Sequence, residues 1–384
     1  MSAAKRQTEI GLVLQGGGAL GAYEWGALTA LLELMDEAAA HGQPIVLKAV
    51  SGVSIGAINA ACVVGSGSRA DARLRLAALW EALALETPLF WPAAATRDLS
   101  FFGLPGFYAA RQDFWTFPRW TYWYDNNPLV ATLTRNVDFA ALNASDTAFV
   151  VTAVDVESGA LVRFSNKPRG DEPPAEITPR HVLASGSLPP AFSWTAIAGH
   201  RYWDGGIVDN TPLGDVIEAF SPSEGIDRLL VVMNLYPLRA RLPQNFADVE
   251  DRLHELQFGN RVRQDGEVAR RINALVETVE DLATLVPRQS LDPRLQARLD
   301  EARRYKIIDA ITHIDMQDPD AASEPGAQEP FDDQNGLRDF SLDTVKRRRA
   351  LGYAIAERRL RPLFESHGLI TEASARRTAA MRTA

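Results

Sequence analysis

A strand-like run, Ile45 to Val50, breaks at Gly52-Val53-Ser54-Ile55-Gly56 and resumes at once as a helix-like run, Ile55 to Val64. A serine flanked two residues on either side by glycine, at the passage from strand to helix, implies a sharp turn in which larger side chains at Gly52 and Gly56 would collide. Such a turn strains the serine backbone. The helix behind it points the positive end of its dipole at the serine hydroxyl. A glycine-rich turn with an N-capping serine uses the same five residues, so the motif takes its meaning from its surroundings.

Those surroundings repeat the pattern. Ile10 to Leu14 is a short apolar strand that runs into Gly16-Gly17-Gly18. Ala19 to Ala40 then places Leu20, Ala27, Leu28, Leu31, Leu32 and Met35 at helical spacing. Two strand–helix units in succession predict a parallel sheet covered on both faces, an α/β fold. Gly16 to Gly21 also fits G-x-G-x-x-G, the dinucleotide-binding fingerprint. That reading needs an acidic residue at the end of the second strand. Here Asp36 and Glu37 fall within or at the end of the helix, and the second strand leads to Ser54 instead. The alternative is an oxyanion hole, in which the Gly17 and Gly18 amides converge with the Ile55 amide on a carbonyl that gains charge. Two glycine turns at the carboxyl ends of neighbouring strands support each other.

Beyond residue 86 the character changes. Thirteen aromatic residues crowd Phe90 to Tyr124, among them Trp115, Trp120 and Trp123, interrupted by Pro and Gly. This reads as an irregular excursion. Strands return at Ala148 to Val156 and Leu229 to Leu235. Residues 250–285 and Pro293 to Tyr305 have helical period, Lys306 to Ile314 suits a late strand, and Asp315 to Asn335 is an acidic linker. Phe340-Ser341 opens a last helix, with Ser341 at the N-cap and Phe340 stapled to Val345.

Composition narrows the function. A net charge of −9 over 384 residues does not suit a nucleic-acid binder, which neutralises phosphates with clustered Lys and Arg. The single cysteine, Cys62, allows no intramolecular disulfide and reads as a small buried hydrophobe. No run approaches the roughly 20 apolar residues of a membrane span. The polar N-terminus, Met1 to Glu9, carries no leader-like run, so the expected location is cytoplasmic. No dense cluster of metal ligands or calcium loop is apparent, and the expectation is chemistry with no metal or cofactor.

A nucleophilic serine needs a base. The histidines, at 41, 181, 200, 254, 313 and 367, lie in no catalytic context. Asp204, in Trp203-Asp204-Gly205-Gly206, is the stronger candidate, although an aspartate before two glycines is also an ordinary turn. The set Gly16-Gly17-Gly18-x-x-Gly21, Gly52-x-Ser54-x-Gly56, Ala184-Ser185-x-Ser187-x-Pro189 and Asp204-Gly205-Gly206 with Asn210 and Pro212 resembles the patatin-like phospholipases in order and approximate spacing. The resemblance covers residues 8–235. It implies a three-layer α/β/α fold with a mainly parallel sheet, a Ser54–Asp204 dyad in place of a triad, and an oxyanion hole lined by Gly16, Gly17 and Gly18. One departure stands out: many members have a basic residue in the glycine loop where this chain has Leu20.

The resemblance therefore implies a catalytic domain over residues 1–235 with an aromatic insertion at 88–125, and a mainly helical C-terminal extension over 236–384. The activity implied is hydrolysis of lipid acyl esters through an acyl-enzyme, with transient contact to a lipid surface. An acyltransferase using the same intermediate and a non-catalytic lipid-binding protein are the rival readings. A Ser-His-acid hydrolase fits less well, because its nucleophile usually follows several strands and this one follows two. Trp115, Trp120 and Trp123 are candidate substrate contacts, as a lid or acyl-chain wall, against the plainer reading of a satellite core. The sequence leaves the ester and the oligomeric state open.

Overall fold

The computed structural model describes residues 6–86, 100–222, 225–236, 242–244, 246–259, 261–285, 292–302, 306–316 and 337–371. Phe90, Trp91, residues 317–335 of the expected linker and the tail after Thr371 lie outside them.

The first strand, β1 (Gln7–Leu14), is followed by a single 3-10 turn and α1 (Gly21–Ala40), then β2 (Ile45–Gly52), α2 (Ile55–Val64) and α3 (Arg69–Leu83). β1 is buried along all but its first residue, as a strand covered on both faces must be. It pairs in parallel with β2 on one side and with β10 (Ile226–Asn234) on the other. A late strand, β11 (Ala310–Asp315), extends the sheet beyond β10, also in parallel. The C-terminal region thus contributes an edge strand to the central sheet, and its last helix, α11 (Leu342–Ser366), packs on α1. Glycines let these two helices approach: a side chain at Gly26 would meet the Arg349 carbonyl, and one at Gly352 the Tyr23 carbonyl. Fifteen of the twenty α1 residues are buried, so the helix is covered all round where a surface helix has one apolar face. On the opposite side of the sheet, α7 (Leu213–Ala219) covers Val13, Leu230 and Val232 with Val216 and Phe220. The expected α/β/α layering and helical C-terminal region are both present.

Beyond β2 the sheet passes from parallel to antiparallel pairing. β6 (Ala148–Asp155) pairs in parallel with β2 over Ala148–Val151 and antiparallel with β7 (Leu161–Ser165) over Val150–Val154. β9 (His200–Asp204), itself paired to β8 (Thr195–Ile197), meets β6 over Ala153–Asp155. A strand has two edges, and β7 holds one of them over Val150–Val154. β9 therefore takes the edge that β2 vacates after Gly52.

The aromatic excursion is less irregular than its composition implies. β3 (Gly103–Leu104), β4 (Tyr108–Ala110) and β5 (Tyr124–Asp125) form a small antiparallel sheet, and Phe114–Arg119 is a 3-10 turn. Strands of two or three residues are too short to show a period. Three short helices lie outside the elements expected from the sequence: α4 (Pro128–Asn136), α5 (Phe139–Ala144) and α6 (Pro179–Ser185). Phe340 and Val345 are both buried at the start of α11, but the Ser341 side chain caps nothing. Asp339 does the local work instead, accepting from the Ser341 amide at 3.0 Å and the Thr344 hydroxyl at 2.8 Å. C-terminal to β10, the helical pattern resolves into α8 (Phe246–Gly259), α9 (Arg261–Leu285) and α10 (Pro293–Ala302).

Candidate active site

Register brings the two glycine turns together. Leu14 of β1 is paired with Gly52 of β2, so both loops leave the sheet at the same level. They are interlocked: a side chain on Gly56 would strike the carbonyls of Leu14 and Gln15, at 2.5 and 2.7 Å from its Cβ. A side chain on Gly16 would lie 3.0 Å from the Ser54 Cβ. Gly52 faces Gly56 and the Ala57 amide at 2.6 Å, the collision that the glycine spacing avoids.

Ser54 sits on this turn with φ 53° and ψ −121°. A non-glycine residue in that region is strained by about 1–3 kcal/mol and persists only where its surroundings enforce it. The hydroxyl is not used to cap α2, although Ser54 holds the N-cap position. It lies close enough to Asp204 instead to favour the charged form of its carboxyl. Asp204 arrives on β9, along the edge that β2 leaves free, and is 2% exposed. Burial pushes its pKa up to about 7, and the Gly206 amide and the Ser54 hydroxyl beside it only partly offset this. The Gly206 amide donates to Asp204 Oδ1 at 2.8 Å and fixes the carboxyl plane.

Of the glycine-loop amides, that of Gly16 is already engaged, donating to Asn210 Oδ1 at 3.0 Å. The amides of Gly17, Gly18 and Ile55 find no acceptor among the described residues. These three amides are left to donate to a bound group, whereas the Gly16 amide anchors the loop. Gly18 has φ 52° and lies against the carbonyl of Leu337, which accepts from the Ala19 amide at 3.0 Å. The C-terminal region thus braces the loop. Leu20 is buried.

Two further contacts escaped the sequence reading. The Ser185 hydroxyl accepts from the Ser54 amide at 2.9 Å. Ser187 bonds Asn126 and Thr195 through its hydroxyl, and its carbonyl accepts from the Asp204 amide at 3.1 Å. The Ala184-Ser185-x-Ser187 motif thus holds both Ser54 and Asp204. Its letters were visible in the sequence, but their partners lie 131 and 17 residues away and form no local pattern. Among the described residues, no histidine is hydrogen-bonded to Ser54 or Asp204. His181 caps α6 through Thr178, His200 lies 3.3 Å from Asp155, and His313 meets Asn234 at 3.2 Å. Trp115, Trp120 and Trp123 lie in the 100–125 segment, where Trp120 and Trp123 pack edge to face. Trp115 is 82% exposed and Trp123 49%.

Comparisons with known proteins bear on what this arrangement is. No curated protein matches the sequence. Among solved structures, VipD from Legionella pneumophila aligns with 15% identity and a TM-score of 0.38, over 95% of this chain and 68% of that one. ExoU, solved with SpcU from the type III secretion system of Pseudomonas aeruginosa, aligns with 17% identity and a TM-score of 0.28, over 78% of this chain and 66% of that one. The patatin-like phospholipase profile matches residues 12–217. That span is more than half of the chain and takes in both glycine turns, Ser54, the 185–189 motif, Asp204 and Asn210, and the chain belongs to the patatin-like phospholipase family.

Proposed function

We propose that this protein is a serine hydrolase of lipid acyl esters, with Ser54 as nucleophile and Asp204 as base. The observation that carries this reading is the strained Ser54 with its hydroxyl beside a buried carboxyl whose pKa lies near neutrality. A base is most effective when its pKa is close to the working pH.

The reaction follows from these groups. Ser54 Oγ attacks the ester carbonyl carbon as its proton passes to Asp204. The carbonyl oxygen gains the negative charge and takes hydrogen bonds from the amides of Gly17, Gly18 and Ile55. Collapse of this intermediate breaks the bond to the alcohol, which leaves with the proton from Asp204. Water, deprotonated by Asp204, then attacks the acyl-Ser54 ester. The second tetrahedral intermediate releases the fatty acid, and the proton returns to Ser54. Preorganised amides of this kind contribute about 3–4 kcal/mol each in the transition state. Every proton transfer runs through one carboxylate, so the dyad needs neither a histidine nor a cofactor.

The test is fatty-acid release from phospholipid vesicles and from a soluble short-chain ester. Ser54→Ala and Asp204→Asn are each expected to lose at least about 10²-fold in kcat, while single His→Ala variants keep most activity. A His variant as impaired as Asp204→Asn would restore a triad and overturn the dyad.

A further inference from the structure

Residues 100–125 contain eleven aromatic side chains, and several of them stand out from the core. Phe101, Phe102, Phe114 and Trp115 are 70%, 73%, 69% and 82% exposed. The rings fall into two contacting groups. Trp120 contacts Phe114, Phe117 and Trp123, Phe117 also contacts Trp123, and Phe101 contacts Phe102 and Tyr124. An apolar surface of this extent on a soluble domain marks a place of interaction.

The surface is stiff. Arg111 is stacked between the rings of Trp120 and Tyr122, 4.5 and 4.3 Å from their centroids. Its guanidinium grips both oxygens of Asp113, at 2.9 and 2.6 Å. Asp113 also accepts from Thr116, and Thr116 accepts from the Trp120 indole N–H at 3.0 Å. The base of the segment is equally fixed: the amides of Trp123 and Tyr124 donate to the Ala191 carbonyl at 3.1 and 2.8 Å. Next along the chain, Asn126 donates to the Ser187 hydroxyl at 3.1 Å, and the Ser187 carbonyl accepts from the Asp204 amide, so the segment is tied to the residues that hold the candidate site.

Charge distinguishes the segment from the rest of the chain. The protein carries −9 overall, whereas residues 100–125 have two arginines, two aspartates, and no Lys or Glu. Asp113 is neutralised by Arg111, and Asp125 accepts from the Asn127 amide and side chain at 3.0 and 2.6 Å. Arg119 stays exposed and without an ion pair among the described residues, on the same 3-10 turn as Trp115. Tryptophan rings around one free guanidinium match the boundary of a bilayer, where indoles sit at headgroup depth and a cation meets phosphate.

We propose that the aromatic tip of residues 100–125 is the surface by which this protein docks on a phospholipid bilayer and brings its site to the ester groups. The assignment rests on the reading of Ser54 as an acyl-ester nucleophile, because such an enzyme draws its substrate from a membrane. Binding and chemistry are nevertheless separable. The experiment is flotation of the full-length Ser54→Ala protein, which cannot turn lipid over, with vesicles of dioleoylphosphatidylcholine alone and with about one third dioleoylphosphatidylglycerol. The parent Ser54→Ala protein floats with both. Adding Trp115→Ala or Phe114→Ser lowers the partition coefficient about tenfold each, and Arg119→Gln about fivefold. Melting temperatures stay unchanged, since these side chains are exposed; Phe102→Ser provides an independent variant. A parent protein that does not float, or tip variants that float as well as it does, would overturn the proposal. So would a tip-dependent dimer on gel filtration without vesicle binding, which assigns the surface to a second copy of the chain. Absence of a covalent adduct on Ser54 in the unmutated protein overturns the enzymatic reading and leaves the flotation result standing by itself.

Discussion

Asn210 grips both polar groups of one residue, Gly16. Its Oδ1 accepts the Gly16 amide at 3.0 Å, and its Nδ2 donates to the Gly16 carbonyl at 3.0 Å. Asn210 is buried, and so is the loop it holds. Asn210→Ala leaves two buried backbone groups unpaired, at about 1–3 kcal/mol each. The expected outcome is a lowered melting temperature together with a fall in kcat, because the loop carrying the Gly17 and Gly18 amides loses its anchor. Thermal denaturation and steady-state kinetics on a soluble ester check both. Unchanged kcat in a folded variant would show that the loop does not need this anchor.

The acid limb of the activity profile should report Asp204. Burial holds its carboxyl neutral up to about pH 7, and a neutral carboxyl takes no proton from Ser54. kcat/KM on a soluble ester is expected to rise about tenfold per pH unit below that value and to level off above it. A profile already flat at pH 5 would mean that another group, or an unshifted one, is the base.

The same burial sets a stability effect of definite sign. An acid whose pKa is raised by folding adds stability that is full below its unfolded value, near 4, and is lost as pH rises through about 7. Above pH 7 the ionised Asp204 opposes folding by on the order of 4 kcal/mol. Asp204→Asn removes that charge. It should therefore raise the melting temperature more at pH 8 than at pH 5, and melting curves at the two pH values measure this. An equal shift at both would contradict a buried, neutral-leaning carboxyl.

Ser185 is the acceptor for the Ser54 amide and is fully buried. Ser185→Ala takes that acceptor away and frees the strained turn to relax. A loss of about 1–2 kcal/mol in transition-state stabilisation, or roughly 5- to 30-fold in kcat, is expected. KM for a soluble ester should move little. An effect on KM alone would place Ser185 in substrate binding.

What was legible in the sequence is what lies within a few residues of itself. The strand–turn–helix around Ser54 and the Gly16–Gly18 turn announced themselves, because glycine spacing and hydrophobic period are local signals. Asp204 was readable only as part of a set of motifs, since an aspartate before two glycines is otherwise a turn. The physical reason for its position, an edge of β6 left open by β2 and filled by β9, depends on pairings between residues about 100 and 50 positions apart. Partners such as Asn210 for Gly16 and Leu337 for Ala19 are 194 and more than 300 residues distant, and no period encodes them. The β8–β9 hairpin was hidden because its turn places Ala198, as well as Gly199, at positive φ, where the usual signal is Asn or Gly at both positions. The aromatic tip was visible as composition, but its outward direction was not.

The account stands or falls on a covalent bond to one oxygen. Treating the full-length protein with a fluorophosphonate probe and mapping the adduct by peptide mass spectrometry should place it on Ser54 alone. Ser54→Ala should abolish labelling without changing the melting temperature appreciably, and Asp204→Asn should slow it by about 10²-fold or more. Labelling that persists in a folded Ser54→Ala variant, or an unmutated protein that takes no label, would contradict a Ser54 nucleophile.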